Sequence, residues 1–251
     1  MNKASVVIPY FRKKKFFKKT INSVLNQTYK NFEIIIVYDD EDKKDLYFIK
    51  QLIKNDKRFK LIINKKNVGA GESRNKGIKM AKGKYICFID ADDIWNSNKL
   101  EIQINFMRKK KLLISHSSYQ IINESNKVIG HRTAENYNSF FELRKSCNIG
   151  LSSVIIEKKL IQNKLKFPKI KTKEDFVLWL KILKGGTKIY SINKSLVKWR
   201  KSNNSLSSSS IQKIKDGFKV YNYYLNYNFV KSLFFLLVLS LNYLKKLLFR
   251  S

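Results

Sequence analysis

Two short acidic groups stand out in a chain that is otherwise strongly basic. Asp39, Asp40, Glu41 and Asp42 form the first; Asp90, Asp92 and Asp93, around Ala91, form the second. The 251 residues hold 19 acids against 52 Lys and Arg, a formal net charge of +33. Seven of the 19 acids therefore fall in two spots. Gathering carboxylates is costly unless a cation or a hydrogen-bonding ligand compensates. A hard divalent ion with oxygen ligands is the natural compensator, and such ions keep positions open for substrate phosphates. The pattern predicts a site for a divalent ion and a diphosphate. A strand-end Asp also serves to cap a helix or turn, and Asp42 and Asp93 are open to that reading.

Each acidic group directly follows a short run of apolar, largely β-branched residues, 34–37 in one case and 85–89 in the other. Similar runs lie at 6–8 and 61–63. They are too short for helices and apolar throughout, which predicts strands covered on both faces, hence parallel ones. The stretches between them, 16–27, 46–55 and 72–82, have helical spacing, as Phe17, Ile21, Val24 and Leu25 illustrate. Gly83 suits the position just past the third helix. The order βαβαβαβ predicts an α/β domain with right-handed crossovers. Ligands of open α/β sheets bind outside the C-terminal strand ends, so both acidic groups are expected to face one crevice.

Beyond Asp93 the rhythm changes. A helix is predicted over 98–110, an antiparallel pair over 112–122 and 127–129, and a strand at 153–156. Phe176, Trp179, Leu180 and Leu183 share one side of a helix over 175–183, ended by Gly185 and Gly186. Residues 189–197 are expected to return to the sheet. Residues 203–210 read as a loop or linker, and the chain from 211 as helical. The expected class is α/β, a mainly parallel Rossmann-like sheet flanked by helices, with a C-terminal helical extension. The Gly-containing stretch Asn67–Glu72 is neither a dinucleotide fingerprint nor a P-loop.

Composition bounds the partners. A hydrophobic share of 43% excludes wholesale disorder, and nine Gly with two Pro exclude a collagen-like chain. Cys87 and Cys147 cannot build a disulfide framework, which points to a reducing compartment. The charge suits nucleic acid, an anionic membrane surface or phosphorylated substrates; a lysine-rich composition also arises from genome bias without any function. A basic nucleic-acid-binding protein is the alternative class, but the aromatics form no stacking platform and no binding motif is present. No nucleic-acid partner is expected. The start of the chain reads as a buried strand rather than a leader. Segment 229–249 is apolar, but its uncharged part, 232–244, is 13 residues, short of the roughly 20 that span a bilayer. It reads as an interfacial helix or as a helix docked on the domain.

These residues carry a family resemblance. The chain resembles the family 2 glycosyltransferases with the A-type nucleotide-sugar-binding fold, of the bacterial polysaccharide and O-antigen kind. The resemblance runs over residues 4–205, through Ser5–Tyr10, Ser23–Thr28, Phe32–Asp40, Asn67–Gly69, Arg74–Gly77, Ile89–Asp93 and Glu174–Leu180, in matching order and spacing. It implies that Pro9 and Tyr10 pack against the nucleotide base and that Asp39 hydrogen-bonds it, typically as uracil. It further implies a DxD motif at Asp90 and Asp92. Asp92 would coordinate Mn²⁺ or Mg²⁺ on the diphosphate, and Asp90 would contact ribose or metal-bound water. Asp175 matches the catalytic base, and Glu174 is placed to orient it or touch the acceptor. A helix N-terminus would keep Asp175 ionised. Arg74 is expected to reach a phosphate or pair with the acidic groups.

Two departures from the family pattern bear on the site. Ser202 stands where the Tyr-Arg-x-His motif has His, so Arg200 or Lys201 is expected to supply positive charge at the diphosphate. Glu41 and Asp42 replace the usual Gly-Ser. The implied reaction is inverting transfer of a sugar from a nucleotide sugar, UDP-linked by the resemblance, to a hydroxyl of a lipid-linked or surface-polysaccharide acceptor. The implied location is cytoplasmic, on the cytoplasmic face of the inner membrane against anionic lipid. Residues 1–210 would be the catalytic domain, 1–110 its nucleotide-sugar half and 111–210 its acceptor half, with 211–251 as the helical extension. Trp95 is expected to line the sugar pocket or simply to pack, and the resemblance implies that residues 147–153 border the acceptor site. A family member without catalysis is a further reading, against which Asp39, Asp90, Asp92 and Asp175 argue.

Overall fold

The four apolar runs form the parallel half of a nine-stranded sheet in the computed structural model, which describes residues 2–161, 165–202 and 209–248. In chain order this half is β1 (Ala4–Tyr10), α1 (Lys14–Leu25), β2 (Phe32–Tyr38), α2 (Leu46–Ile53), β3 (Phe59–Ile63), α3 (Ala70–Met80) and β4 (Tyr85–Phe88). The spatial order is β3-β2-β1-β4, with Val6 opposite Ile34 on one side and Cys87 on the other. Alternate residues enter two different cores. Val6, Ile8, Ile34 and Ile36 meet Phe17 and Ile21 of α1. Val7, Ile35, Val37 and Phe88 belong to the opposite layer, with Ile78 of α3 packed against it. Burying one such side chain is worth roughly 1.5–3 kcal/mol, and a one-residue slip would exchange the two sets. Register is therefore firmly held.

The second half is β5 (Ile94–Trp95), α4 (Lys99–Lys109), β6 (Ile114–Ile122), β7 (Val128–Arg132), α5 (Phe140–Leu143), a 3-10 turn at Leu151–Ser153, β8 (Ile155–Glu157), α6 (Lys158–Ile161), α7 (Glu174–Lys184) and β9 (Tyr190–Arg200). Here the sheet is mixed rather than parallel. β8 runs antiparallel between β4 and β6, while β9 is parallel to β6 and antiparallel to β5. Short connections allow only antiparallel neighbours, and the β6–β7 pair forms that way. Gly83 does not cap α3, which ends three residues earlier. A Cβ there would lie 2.6 Å from the Lys3 carbonyl oxygen, so the residue serves a close crossing of two chain segments.

The chain ends in α8 (Ser210–Lys219), a π-helical turn at Val220–Tyr224 and α9 (Phe229–Leu248). Residues 203–208 of the Ser-rich stretch lie outside the described residues. Val220, Tyr221 and Phe235 are buried in the same core as α7. Asp216 Oδ2 accepts from both the backbone N–H and the hydroxyl of Thr172, each at 2.8 Å. Asn242 Nδ2 donates to the Lys145 carbonyl and Lys246 Nζ to that of Cys147. One side of α9 is thus docked. Val230, Leu233, Phe234, Leu237, Leu241 and Leu244 are exposed. Among the described residues no helix is long and apolar enough to cross a membrane.

Candidate active site

The two acidic groups flank the end of β1, because β1 lies between β2 and β4. Consecutive basic residues just past β1 join them. Arg12 Nε donates to Asp40 Oδ2 at 2.9 Å, and Lys13 Nζ stands 2.8 Å from Asp92 Oδ2. A third link comes from α3. Arg74, almost fully buried, donates from Nη2 to Asp90 Oδ1 at 2.7 Å and from Nη1 to Glu174 Oε1 at 2.6 Å. This guanidinium ties the DxD strand end to the first turn of α7, which carries Asp175. The helices approach closely there: a Cβ on Gly71 would sit 3.2 Å from both Glu174 Cγ and the Pro168 carbonyl oxygen. Of the two roles open to Arg74, pairing with the acids is the one seen.

The carboxylate of Asp39 has a different set of partners. Oδ1 accepts from Asn64 Nδ2 and the Val68 N–H, and Oδ2 from the Gly69 N–H, at 2.8–2.9 Å. It organises the loop that opens α3. Pro9 is part of β1, and Tyr10 is fully buried, stacked on Tyr38 with ring centroids 5.4 Å apart. Its hydroxyl donates to Asp45 Oδ2. The ring expected against a nucleotide base therefore lies in the core.

Asp93 is a structural tie. Oδ2 accepts from Ser152 Oγ at 2.5 Å and Oδ1 from the Arg200 N–H at 2.7 Å. Ser152 Oγ also accepts from the Asp90 N–H, so the 3-10 turn braces the DxD segment from behind. The Trp95 indole donates to the Ser152 carbonyl and is buried; it packs. Arg200 differs from expectation. Its Nε donates to the Asp92 carbonyl, Nη1 to the Asn123 carbonyl and Nη2 to Asn126 Oδ1, all at 2.8 Å, beneath Phe16. Only 2% exposed, its guanidinium holds backbone instead of facing the crevice. The ammonium that reaches the DxD carboxylate is that of Lys13, which also donates to Ser202 Oγ at 3.2 Å. Sequence reasoning missed Arg12, Lys13 and Ser152. The adjacency of two cations to a strand end was the available signal, hidden in the chain-wide excess of lysine.

Burial raises the carboxyl of Asp92 above the usual range, opposed by Lys13. For Asp93 burial and then the charges of Asp92 and Asp90 push it well up. Glu174 and Asp175 are raised as well, by burial first, with Arg74 pulling both back. For Asp175 the direction of the shift is set by burial rather than by the helix N-terminus. Loss of solvent outweighs the helix terminus and the Phe176 N–H that its Oδ1 accepts. Both α7 residues remain half-buried.

The DxD donors suit a hard cation. Asp90 and Asp92 offer oxygen ligands, and the Asp92 carboxylate already holds one cation, the Lys13 ammonium, at 2.8 Å. Among the described residues no group of three His, Cys, Asp or Glu side chains forms a closed metal cage. Two carboxylates with the remaining ligands from phosphates is a usual arrangement for Mg²⁺.

Comparison with known proteins identifies the family and the fold. The family model "Glycosyl transferase family 2" matches residues 5–165. The chain is 37% identical over 213 residues to WfgD of Escherichia coli, a UDP-Glc:alpha-D-GlcNAc-diphosphoundecaprenol beta-1,3-glucosyltransferase, covering 84% of this chain and 82% of that one. WfaP of the same organism, of the same described activity, is 40% identical over 194 residues, 77% of this chain and 75% of its own. Among solved structures, S. aureus TarS in complex with UDP-GlcNAc superposes with a TM-score of 0.72 at 21% identity, over 88% of this chain and 65% of that one. That likeness shows the fold, the A-type glycosyltransferase arrangement of a mixed sheet between helices. With the family model covering most of the chain and these relatives alongside it, the chain belongs to glycosyl transferase family 2 and is a glycosyltransferase.

Proposed function

We propose that the protein transfers a sugar, with inversion, from a UDP-sugar to a hydroxyl of a lipid-linked diphosphate glycan during bacterial surface-polysaccharide assembly. The observation that carries this reading is the Arg74 bridge, which joins the DxD carboxylate Asp90 to Glu174, the neighbour of Asp175 in the first turn of α7. Asp39 and the strand ends of β1 and β2 form the nucleotide side. Asp92 with Asp90 would hold Mn²⁺ or Mg²⁺, which neutralises charge on the departing nucleoside diphosphate. Asp175 accepts the proton of the acceptor hydroxyl as that oxygen bonds to the anomeric carbon and the nucleoside diphosphate leaves from the opposite face. Its raised carboxyl makes it a stronger base than a solvent-exposed Asp. Glu174, fixed by Arg74, sets the orientation of the helix start.

The acceptor class is supported by the activity described for WfgD and WfaP. The exposed apolar side of α9, with Lys231 and Lys245 on the same helix, suits the surface of an anionic bilayer. The contacts of Asn242 and Lys246 with Lys145 and Cys147 would bring that surface beside the acceptor side of the crevice. The test is a panel of nucleotide sugars supplied with undecaprenyl-diphosphate-linked GlcNAc. Product formed from a UDP-sugar, with an inverted anomeric centre, is expected; no transfer from any donor defeats the reading. Introducing Leu233→Glu with Leu237→Glu should abolish co-sedimentation with anionic vesicles while the melting temperature stays unchanged.

A further inference from the structure

Three carboxylates stand within four residues at Asp90–Asp93, and each of the three neighbouring cations has a distinct set of partners. Arg74 is closed off between Asp90 and Glu174. Arg200 is buried and directed at carbonyls and Asn126. Lys13 alone of these three touches the Asp92 carboxylate, whereas Arg200 meets only its backbone carbonyl, and the Lys13 side chain keeps 21% of its surface exposed. It sits at the N-terminal edge of α1, on the loop that leaves the central strand at its C-terminal end, where ligands of such sheets bind. Its ammonium is a compact charge with three donors on a flexible stem. Two of those donors are directed at Asp92 and at Ser202. Ser202 stands where the family pattern has His. A short hydroxyl there offers Lys13 an acceptor, whereas a protonated imidazole would repel it.

We infer that Lys13 is a diphosphate-binding residue of the donor site, moving its ammonium from Asp92 and Ser202 to a phosphate oxygen when the nucleotide enters. The inference rests on the donor-site reading above. The displacement is charge-balanced: the ammonium exchanges one anionic partner for another, and Asp92 is freed to face a divalent ion. Lys13 therefore carries a share of phosphate neutralisation that needs no metal, and nucleotide binding survives chelation in this protein.

Calorimetric titration of the whole protein with UDP, once in EDTA and once in Mn²⁺, tests this. Lys13→Gln keeps a hydrogen-bond donor and loses the charge; Lys13→Arg keeps the charge. Removing one charge-assisted bond to phosphate should weaken UDP binding in EDTA by at least about tenfold in Lys13→Gln. The effect should be smaller in Mn²⁺, and Lys13→Arg should fall between Lys13→Gln and wild type. Equal binding by Lys13→Gln and wild type in EDTA overturns the role of Lys13 and leaves the donor site standing. Wild-type binding that requires Mn²⁺ overturns it too. Wild-type protein that binds UDP under neither condition overturns the donor-site reading and this inference together. Far-UV circular dichroism of each variant verifies that the fold is intact.

Discussion

The two ends of the parallel strands place carboxylates among basic groups and obtain opposite electrostatic results. At the N-terminal end, Glu33 on β2 receives Lys60 Nζ and Ser5 Oγ at 2.7 Å and the Lys82 N–H. Burial alone would raise its carboxyl, but these partners and Lys3 more than reverse that and hold it down to about 2. At the C-terminal end, Asp92, Asp93, Glu174 and Asp175 are all raised, because burial and mutual repulsion outweigh the cations present. One end is over-supplied with positive charge and closed. The other is short of it around Asp92, Asp93 and the start of α7, in a protein of net charge +33, although Arg12 holds the nearby Asp40 down. Carboxyl groups shifted in this way cluster at functional sites.

The strongest way to break the contrast is to remove a carboxylate from the deficient end. Asp175→Asn should lower transfer by about 10²–10⁴-fold while UDP binding is unchanged; near-normal rates in a product assay would remove Asp175 as the base. In the same assay, wild-type transfer should fall as pH drops through the Asp175 pKa, which lies above the ordinary carboxylate range. Next in size, Arg74→Met leaves Asp90 and Glu174 without their shared cation. Breaking a buried pair costs roughly 3–5 kcal/mol, to be read by urea denaturation at pH 7.

The pH dependence of stability sharpens the contrast further. Glu33 has a lowered carboxyl in the folded protein. Its contribution is present above the unfolded value and disappears as pH falls through about 2. Glu33→Gln should therefore cost up to about 3 kcal/mol at pH 7 and little at pH 2. Asp93 has a raised carboxyl, so its contribution is present below the unfolded value and is lost as pH rises through the folded one. Asp93→Asn should flatten the stability profile on that side. Smallest of all, Arg58→Met removes a part-exposed pair with Asp56 and should change stability by about 0–1 kcal/mol.

Much of the frame was legible because it is written in local pattern. β1, β2, β3 and β4 follow from apolar runs with the right length, and α7 from its spaced Phe176, Trp179, Leu180 and Leu183. The mixed half was less legible, since strand direction there depends on which neighbour a segment pairs with, as β8 between β4 and β6 illustrates. Site residues followed the same division. The positions of the acids at strand ends were readable, but their partners were not. Nothing local to Arg200 tells that its guanidinium turns to the carbonyls of Asp92 and Asn123, or that Tyr10 stacks on Tyr38 inside the core. Both depend on what the fold brings alongside, over 70 residues away in the case of Asn123.

Recombining this sequence with its relatives would have to respect one long-range pairing. Asp216 on α8 receives two hydrogen bonds from Thr172, three residues before Asp175. A crossover placed between these positions would bring a foreign tail onto the native approach to α7. Its buried donors would go unanswered unless the incoming segment also offered an acceptor there. Chimeras joined upstream of Thr172 inherit both halves of the clasp from one parent, and a library intended to vary acceptor preference is best divided there.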